Sequence, residues 1–416
     1  MTPTVPGQLL VSEAELARLQ AIIQARLPDL LRDLERLVNI DSGSYTKAGV
    51  DEVGRFTADL LRDLGAVVAT EPGGELGDIV IGTFEGPAGG ARPLLIGHMD
   101  TVFDPGTAAE RPFAIAHGRA TGPGVTDMKS GLLAGLHALA ALRQLGDETA
   151  ARGAWLPFER LTFIANPDEE IGSPVSTPHI RSHAARSDLA LVLECARENG
   201  DIVSSRKGVA DLHLRIHGRA AHAGVEPHRG RSAVLEAAYK VVALHGLNGR
   251  WPGVTVNVGV IGGGTRANVV AQEATLAVDL RATERTSMEE AEAALRAICA
   301  TSTIPDVTCQ IEEIARHWPM EKLPASARLV EHAQALAERL GFAANDAATG
   351  GASDANTTAG MGVPSLDGLG PVGGNDHSPL EYLEVDSIVP RTTLLAALLL
   401  AVSRDPVVAG WRAAGA

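Results

Sequence analysis

Three consecutive acidic residues, Asp168, Glu169 and Glu170, follow the apolar run LTFIA (residues 161–165) after Asn166 and Pro167. An apolar run of this kind, bounded by turn residues, is typical of a buried strand. Several carboxylates packed together at the end of such a strand are costly to ionise unless a cation or a proton compensates for their charge. The stretch therefore indicates a candidate cation site.

Polar residues with similar chemistry follow other apolar runs. His98 and Asp100 come after PLLIG, and Glu194 follows LALVL. Asp127 lies in the loop GPGVTD, and His377 lies in the glycine-rich stretch VGGNDHSPLEY. In open α/β sheets the ligand crevice lies beyond the carboxyl ends of the strands, so we expect these side chains to converge.

Two imidazoles and three carboxylates form a donor set that suits Zn²⁺, with Mn²⁺ or Co²⁺ as substitutes. Five ligands are more than one tetrahedral ion uses, so two metal ions that share a carboxylate are the economical interpretation. A single histidine, or a single glutamate after a strand, is usually structural. The prediction depends on the joint occurrence of five residues, which are His98, Asp127, Glu170, Glu194 and His377.

The elements that must position these residues follow from the apolar pattern. Near-continuous apolar strands between helices predict an α/β domain with helices over its sheet, and Pro28 is expected to break or kink the first helix. From about residue 206 the strands alternate apolar and polar residues, as half-exposed antiparallel strands do. This change predicts a larger domain, residues 1–205 and 320–416, interrupted by a small α+β domain at 206–319.

The composition limits the classes of partner. The chain has 416 residues, and 51 acidic against 36 basic residues leave a net charge of −15, which disfavours nucleic acid and anionic membranes. The longest apolar run, residues 394–402, is too short to span a bilayer, and the start of the sequence lacks a signal-peptide pattern. The three cysteines form no CxxC motif, and an odd number argues against a disulfide framework. We therefore expect a cytoplasmic protein.

The ordered motifs resemble those of the M20 metallopeptidases, and within that family the glutamate carboxypeptidase (carboxypeptidase G2-like) group. The resemblance implies a zinc-dependent metallopeptidase or carboxypeptidase with two Zn²⁺ per chain. It also implies a mixed-sheet catalytic domain, an inserted α+β lid or dimerisation domain, and a homodimer. The motifs that carry it are GHMDTVF (97–103), GPGVTDMKSG (122–131), NPDEEIGS (166–173), VLECA (192–196) and GGNDHSPLEY (373–382).

Carried over residue by residue, the resemblance assigns His98 and Glu194 to one zinc ion and Glu170 and His377 to the other. Asp127 would bridge the two ions.

Two neighbouring acids would have other roles by the same resemblance. Asp100 would orient the imidazole of His98 and raise its basicity. Glu169 would be the general base, which takes a proton from the attacking water and returns it to the leaving amine. Asp168 is left with a structural role such as capping.

The inserted domain also carries stretches similar to the family. His222 would reach the partner subunit's active site and stabilise the oxyanion; the alternative is a surface histidine at a strand end. Asn268 and Arg281 would hold the substrate's C-terminal carboxylate, because arginine binds carboxylates bidentately; the alternative is a turn asparagine and an exposed strand arginine. Gly351 would let the backbone approach the ligand closely.

Three functions remain open at this point. The first is a di-zinc exopeptidase that releases glutamate or a similar amino acid from N-acyl or peptidyl substrates with a free C-terminal carboxylate. The second is a deacylase or dipeptidase of the same family, acting on N-acyl amino acids, acetylornithine or succinyl-diaminopimelate. The third is a catalytically silent metal- or ligand-binding homologue, which an intact Glu169 disfavours. The chain has no HExxH and no GxSxG motif, so zincin and serine-hydrolase mechanisms are unsupported.

Overall fold

The computed structural model describes residues 10–149 and 157–411. Within these residues the chain forms two compact units, each with its own hydrophobic core. The larger unit consists of the described residues up to Ser204, then Lys322–Ala347, and the residues from Ser353 onward; the smaller consists of Ser205–Glu321 and Ala348–Ala352.

Helices and strands are numbered in chain order over the described residues. The helices are α1 (Glu13–Val38), α2 (Lys47–Asp63), α3 (Thr107–Glu110), α4 (Ser130–Thr149), α5 (Thr177–Ala184), α6 (Ala233–His245), α7 (Arg285–Ala300), α8 (Pro324–Arg339), α9 (Asp354–Ala359) and α10 (Ile388–Arg404). The strands are β1 (Val67–Glu71), β2 (Ile79–Glu85), β3 (Pro93–His98), β4 (Ala114–Ala116), β5 (Arg119–Thr121), β6 (Arg160–Asn166), β7 (Leu189–Val192), β8 (Ile202–Arg206), β9 (Gly208–His217), β10 (Thr255–Gly263), β11 (Glu273–Ala282), β12 (Thr308–His317), β13 (Asp346–Thr349), β14 (Ser365–Leu366), β15 (Gly373–Gly374) and β16 (Tyr382–Glu384).

A six-stranded mixed sheet forms the centre of the larger unit, in the order β1-β2-β6-β3-β7-β14. Its first three strands pair antiparallel, whereas β6, β3, β7 and β14 run parallel to one another. Every residue of β3 and β7 is buried, as the uninterrupted apolar runs predicted. Helix α2 packs against β1 and β2, and α4 contacts β3. The predicted α/β fold, a mixed sheet with helices packed on it, is confirmed.

The apolar helices α1, α4 and α10 pack together within the core of this unit. Over the described residues, one helical stretch, Val385–Arg404, is long and apolar enough to cross a membrane, although the apolar run read from the sequence alone was too short. Of its most apolar window, 78% is buried inside the protein, as in the core helix of a soluble fold.

The expectation that Pro28 would break the first helix is wrong, because α1 is one continuous helix of 26 residues with Pro28 inside it. The alternative, a kink at Pro28, stays a prediction. Pro28 lies on the exposed face of the helix, so the carbonyl group that it leaves without a helical partner faces solvent. The buried side chains of Ile23 and Leu30 anchor the helix on either side.

The smaller unit contains a four-stranded antiparallel sheet in the order β10-β11-β9-β12. Buried and more exposed residues alternate along β9 and β11. Helix α6 packs against β10 and β11, and α7 packs against β11 and β12. The predicted small α+β unit is therefore present, and its sheet has the alternation that the sequence showed.

Candidate active site

The parallel strands of the larger unit bring the acidic and histidine residues to one edge of the sheet. His98 ends β3 and lies in register with Asn166, which ends the neighbouring strand β6. On the other side of β3, Ile96 pairs with Val192, and Glu194 follows two residues later. Because parallel strands present their carboxyl ends at the same edge, His98, Glu194 and the acids after Asn166 meet there.

Asp127 lies opposite this edge, in the irregular helical turn Val125–Lys129. The backbone leaves helical geometry at Asp127 and Met128, and the peptide bond between them is cis. The two carboxylate oxygens of Asp127 face different imidazoles. Oδ1 lies 3.1 Å from Nε2 of His98, and Oδ2 lies 3.2 Å from Nε2 of His377.

Each of the two imidazoles also faces a second carboxylate. Nε2 of His98 lies 3.6 Å from Oε1 of Glu194, and Nε2 of His377 lies 3.1 Å from Oε2 of Glu170. His377 is reached from a tight loop in which its φ angle is +60°, and its side chain is 56% exposed while that of His98 is buried. The structure therefore places the five residues predicted as metal ligands in one cluster.

Two groups of three residues in this cluster share His98. Within each group the donor atoms all lie within 4.8 Å of one another: His98 with Glu169 and Glu194, and His98 with Asp127 and Glu170. The first group contains Glu169, for which the sequence predicted the role of base. Distance alone does not separate a ligand from a base at this position, so that role stays a prediction.

The pKa shifts of the residues in this cluster indicate whether it favours added positive charge. Burial, together with the nearby Glu194, raises the pKa of Glu169 well above its ordinary value. Asp127 and Glu170 raise the pKa of His377 to about 11. Burial favours the neutral imidazole of His98, but hydrogen bonds to Asp100 and Asp127 raise its pKa.

These shifts show that protons compensate for crowded carboxylates at this edge, and divalent cations would do the same. Imidazole nitrogens and carboxylate oxygens are the ligands that zinc prefers. The donor set therefore fits the metal ions that the sequence predicted.

Asp100 connects several of these residues. It is buried, and its Oδ1 lies 3.3 Å from Nδ1 of His98. Its oxygens accept hydrogen bonds from the backbone amides of Glu169 and Glu170, each at 3.2 Å, and from the hydroxyl of Ser44 at 2.6 Å. The arrangement fits the predicted orienting role, and Ser44 is a contact that the sequence did not indicate.

Asp168, which the sequence left with a structural role, turns its carboxylate away from the ligand cluster. Its oxygens accept hydrogen bonds from the backbone amides of Val175, at 2.6 Å, and Ser176, and from the hydroxyl of Ser176. The contacts cap the turn that follows Glu169 and Glu170.

Sequence reasoning missed Glu381. Its carboxylate is 1% exposed and accepts hydrogen bonds from three backbone amides of the turn that carries Asp127. Burial raises the pKa of Glu381 to about 7, and these amides oppose the shift. The residue stands in the motif GGNDHSPLEY, where its position four residues after His377 was the signal available.

A cavity of about 250 Å³ adjoins Glu170 in the larger unit. Two large apolar side chains at its wall, Tyr45 and Val102, are exposed to solvent. The wall is formed by Gly43–Thr46, Thr101–Pro105, Glu170 and Ile171.

The four remaining predicted site residues lie in the smaller unit. They are His222, Asn268, Arg281 and Gly351. His222 is exposed, and its Nδ1 accepts hydrogen bonds from the amides of Gly224 and Val225, both at 3.2 Å. A nitrogen that accepts carries no proton, so in the neutral ring Nε2 carries it and can donate. The neighbouring Asn268 is exposed, and its carbonyl accepts from Ala223.

Arg281 and Gly351 both lie at the glycine turn that Gly350 and Gly351 form. The guanidinium donates from Nε to Asp279, at 3.0 Å, and from Nη1 to the carbonyl of Gly350, at 2.7 Å. The carbonyl of Gly351 accepts from Nη1 of Arg206 at 3.1 Å. Two arginines therefore contact the glycine turn.

Comparisons with known proteins show the family of the chain. A family model of peptidase family M20/M25/M40 matches residues 94–401. The chain is 29% identical to Carboxypeptidase G2 of Pseudomonas sp. (strain RS-16) over 404 residues, 96% of this chain and 95% of that protein.

Two solved structures are similar at lower identity. Aminopeptidase PepT from Bacillus cereus has a TM-score of 0.72 at 24% identity, covering 90% of this chain and 98% of its own. A tripeptidase from Staphylococcus aureus has a TM-score of 0.73 at 22% identity, covering 91% and 99%. These identities show the fold alone, whereas the family match covers most of the chain. The resemblance seen in the motifs is confirmed, and the chain belongs to peptidase family M20/M25/M40 as a metallopeptidase.

Proposed function

We propose that this protein is a di-zinc exopeptidase that hydrolyses a C-terminal amide bond and releases glutamate or a similar amino acid. The observation that carries the proposal is the position of Asp127 between two imidazoles. Each of its oxygens faces one histidine, and each histidine faces one further carboxylate. His98 and Glu194 would hold one ion, and Glu170 and His377 the other, with Asp127 shared.

When bound, the two ions would polarise the scissile carbonyl and lower the pKa of water. The chain's own contribution is Glu169. Its carboxylate lies beside His98 and Glu194, and burial together with Glu194 raises its pKa above the ordinary value, which favours proton acceptance by this carboxylate. Glu169 takes the proton from the attacking water and then delivers it to the nitrogen of the leaving amino acid.

The substrate's two ends would be recognised by different chemistry. Asn268 and Arg281 would hold the free carboxylate, because a guanidinium already oriented by Asp279 loses little freedom on binding. The cavity beside Glu170 would receive the acyl side, since exposed apolar groups such as Tyr45 suit an apolar or aromatic group.

We also propose that the protein is a homodimer formed by its smaller unit. Strand β10 is an edge strand, and edge strands are open to pairing with another chain. Helix α6, which packs against β10, exposes the large apolar side chains of Tyr239 and Val242, and β10 itself exposes Val260 and Ile261. A group of exposed apolar side chains of this kind indicates a protein interface.

Light scattering would test the dimer. Wild type should have twice the mass of one chain, and Val242→Glu should shift the protein toward the monomer. Val67→Glu is the matched control, because Val67 is exposed to a similar degree, 75% against 74%, but lies in the larger unit. A monomeric wild type would refute the dimer.

The function is tested by metal analysis combined with a substrate panel of N-acyl-glutamate, benzoyl-glutamate, N-acyl-alanine and N-acetylornithine. Two zinc ions per chain and preference for the glutamates are the expected result. Asp127→Ala should lose both ions, since it removes the shared ligand, whereas Asp59→Asn on the exposed surface of α2 should keep them.

Two other results would replace the proposal. Two zinc ions with preference for another acyl amino acid would make the protein a deacylase or dipeptidase with the same site. A chain that binds no metal, and hydrolyses nothing after zinc or cobalt is supplied, would be a silent homologue.

A further inference from the structure

Glu381 is a buried carboxylate to which none of the roles above is assigned. One of its oxygens accepts hydrogen bonds from the amides of Thr126, at 2.8 Å, and Asp127, at 3.1 Å. The other accepts from the amide of Gly124 at 2.9 Å. These three hydrogen bonds all come from the backbone of one turn, the turn that presents Asp127.

That turn depends on outside partners for its geometry. The first amides of a helical turn have no acceptor within it, and the backbone departs from helical angles at Asp127 and Met128. Lys129, the last residue of the turn, donates from its buried ammonium to the carbonyl of Pro123, just before the turn, at 3.4 Å, and to the carbonyl of Ile40 at 3.0 Å. Glu381 therefore fixes the donor side of the turn.

Glu381 also lies close in the sequence to a second proposed metal ligand. His377 lies four residues before Glu381, in the loop that leads into a turn closed by a hydrogen bond from the amide of Glu381 to the carbonyl of Ser378, at 3.2 Å. Two residues of this loop, Asn375 and His377, have φ angles near +60°, where non-glycine residues need support from their surroundings. One short segment thus carries His377 and, through Glu381, accepts hydrogen bonds from the turn that carries Asp127.

We propose that Glu381 is a positioning residue that holds the shared ligand Asp127 at the separation from His377 that metal binding requires. The role rests on the proposed two-metal site. A carboxylate that only satisfied buried amides would stabilise the fold, but it would leave the metal affinity of the folded protein unchanged. A carboxylate that sets the distance between two ligands must change that affinity when it is replaced.

The experiment compares zinc affinity, measured by competition with a chelator, in wild type and three variants. Glu381→Gln keeps the size of the side chain but replaces one acceptor oxygen with a donor, and Glu381→Ala removes all three contacts. Glu384→Gln is the matched control, since Glu384 lies three residues further on and pairs with Arg119 at the surface. Circular dichroism and thermal unfolding report whether each variant is folded.

Glu381→Ala should bind zinc about 10–100-fold more weakly, the usual effect of losing a group that orients ligands. Glu381→Gln should change the affinity in the same direction by a smaller factor, and Glu384→Gln should match wild type. At limiting zinc the Glu381 variants should lose kcat, and added zinc should restore it with KM unchanged.

Folded Glu381 variants with wild-type zinc affinity would overturn the role while leaving the proposed function intact. If Glu381→Ala does not fold, Glu381→Gln decides: lower thermal stability with unchanged affinity would make Glu381 purely structural. A wild-type chain that binds no zinc would instead refute the proposed function, and this role with it.

Discussion

The carboxylate of Asp100 accepts a hydrogen bond from the backbone amide of Glu169, with an Oδ1–N distance of 3.2 Å. The same oxygen lies 3.3 Å from Nδ1 of His98. One buried side chain therefore orients a proposed metal ligand and also places the backbone of the proposed base. The predicted role, orienting His98, covers only half of what the structure shows.

Asp100→Asn should lower both zinc affinity and kcat/KM by about 10–100-fold, because an amide presents a donor where the backbone amides need an acceptor. Chelator competition and steady-state kinetics measure the two quantities. Asp59→Asn, on the exposed surface of α2, is the control and should resemble wild type. Unchanged affinity and kcat/KM in Asp100→Asn would show that neither His98 nor Glu169 depends on it.

The variant Glu169→Gln distinguishes between the two roles, metal ligand and general base, that the interatomic distances allow for Glu169. As the general base, Glu169 should be dispensable for metal binding, and its loss should reduce kcat by about 10²–10⁴-fold. Zinc content and kcat are measured on the same preparation, with Glu384→Gln as the control. Loss of one zinc ion per chain would instead make Glu169 a ligand, and near-normal kcat would remove it from the mechanism.

The sequence predicted the strand ends well because a fully buried parallel strand leaves an uninterrupted apolar run, and polar residues such as His98 and Glu194 mark where it stops. It did not predict the contact between Glu381 and Asp127, which are 254 residues apart along the chain. No local pattern encodes such a contact, because it depends on how β16 pairs with β5. Pro28 is a different case. A proline usually interrupts a helix, but the buried side chains on either side of Pro28 keep α1 continuous.

The His222 side chain provides a test of the dimer at the level of the active site. Its Nδ1 accepts two backbone hydrogen bonds, which orients the ring and leaves Nε2–H to donate to an oxyanion. If His222 acts in the partner's site, a heterodimer of Glu169→Ala and His222→Ala chains contains one complete site. Such heterodimers, purified with two different tags, should have up to about half of the wild-type kcat.

Each homodimeric variant is the control, and each should be strongly impaired. Heterodimers that recover no activity would show that His222 acts within its own chain, whereas a His222→Ala homodimer with near-normal kcat would show that His222 takes no part in the reaction.

Asp405 predicts how the stability of the larger unit depends on pH. Its buried carboxylate accepts hydrogen bonds from Arg328, at 2.5 Å, and His332, at 2.8 Å. Burial alone would raise the pKa of Asp405, but these partners lower it below its ordinary value. A carboxyl group whose pKa is lower in the folded state binds fewer protons there, so its stabilisation is present above the unfolded pKa of about 3.9 and disappears as pH falls through the folded pKa.

Asp405→Asn should therefore lower the free energy of unfolding by about 1.5–3 kcal/mol at pH 7, the range for hydrogen bonds to a charged group. The difference from wild type should shrink as the pH falls below about 4, because the unfolded wild-type chain then binds a proton at Asp405 while the folded chain, in which the pKa of this carboxyl is lower, does not. Urea unfolding at pH 7, 5 and 3.5 measures the difference, and Asp59→Asn is the exposed control. A difference that stays constant over this range would mean that the charge of Asp405 contributes nothing, because only a loss independent of ionisation, such as altered packing, is insensitive to pH.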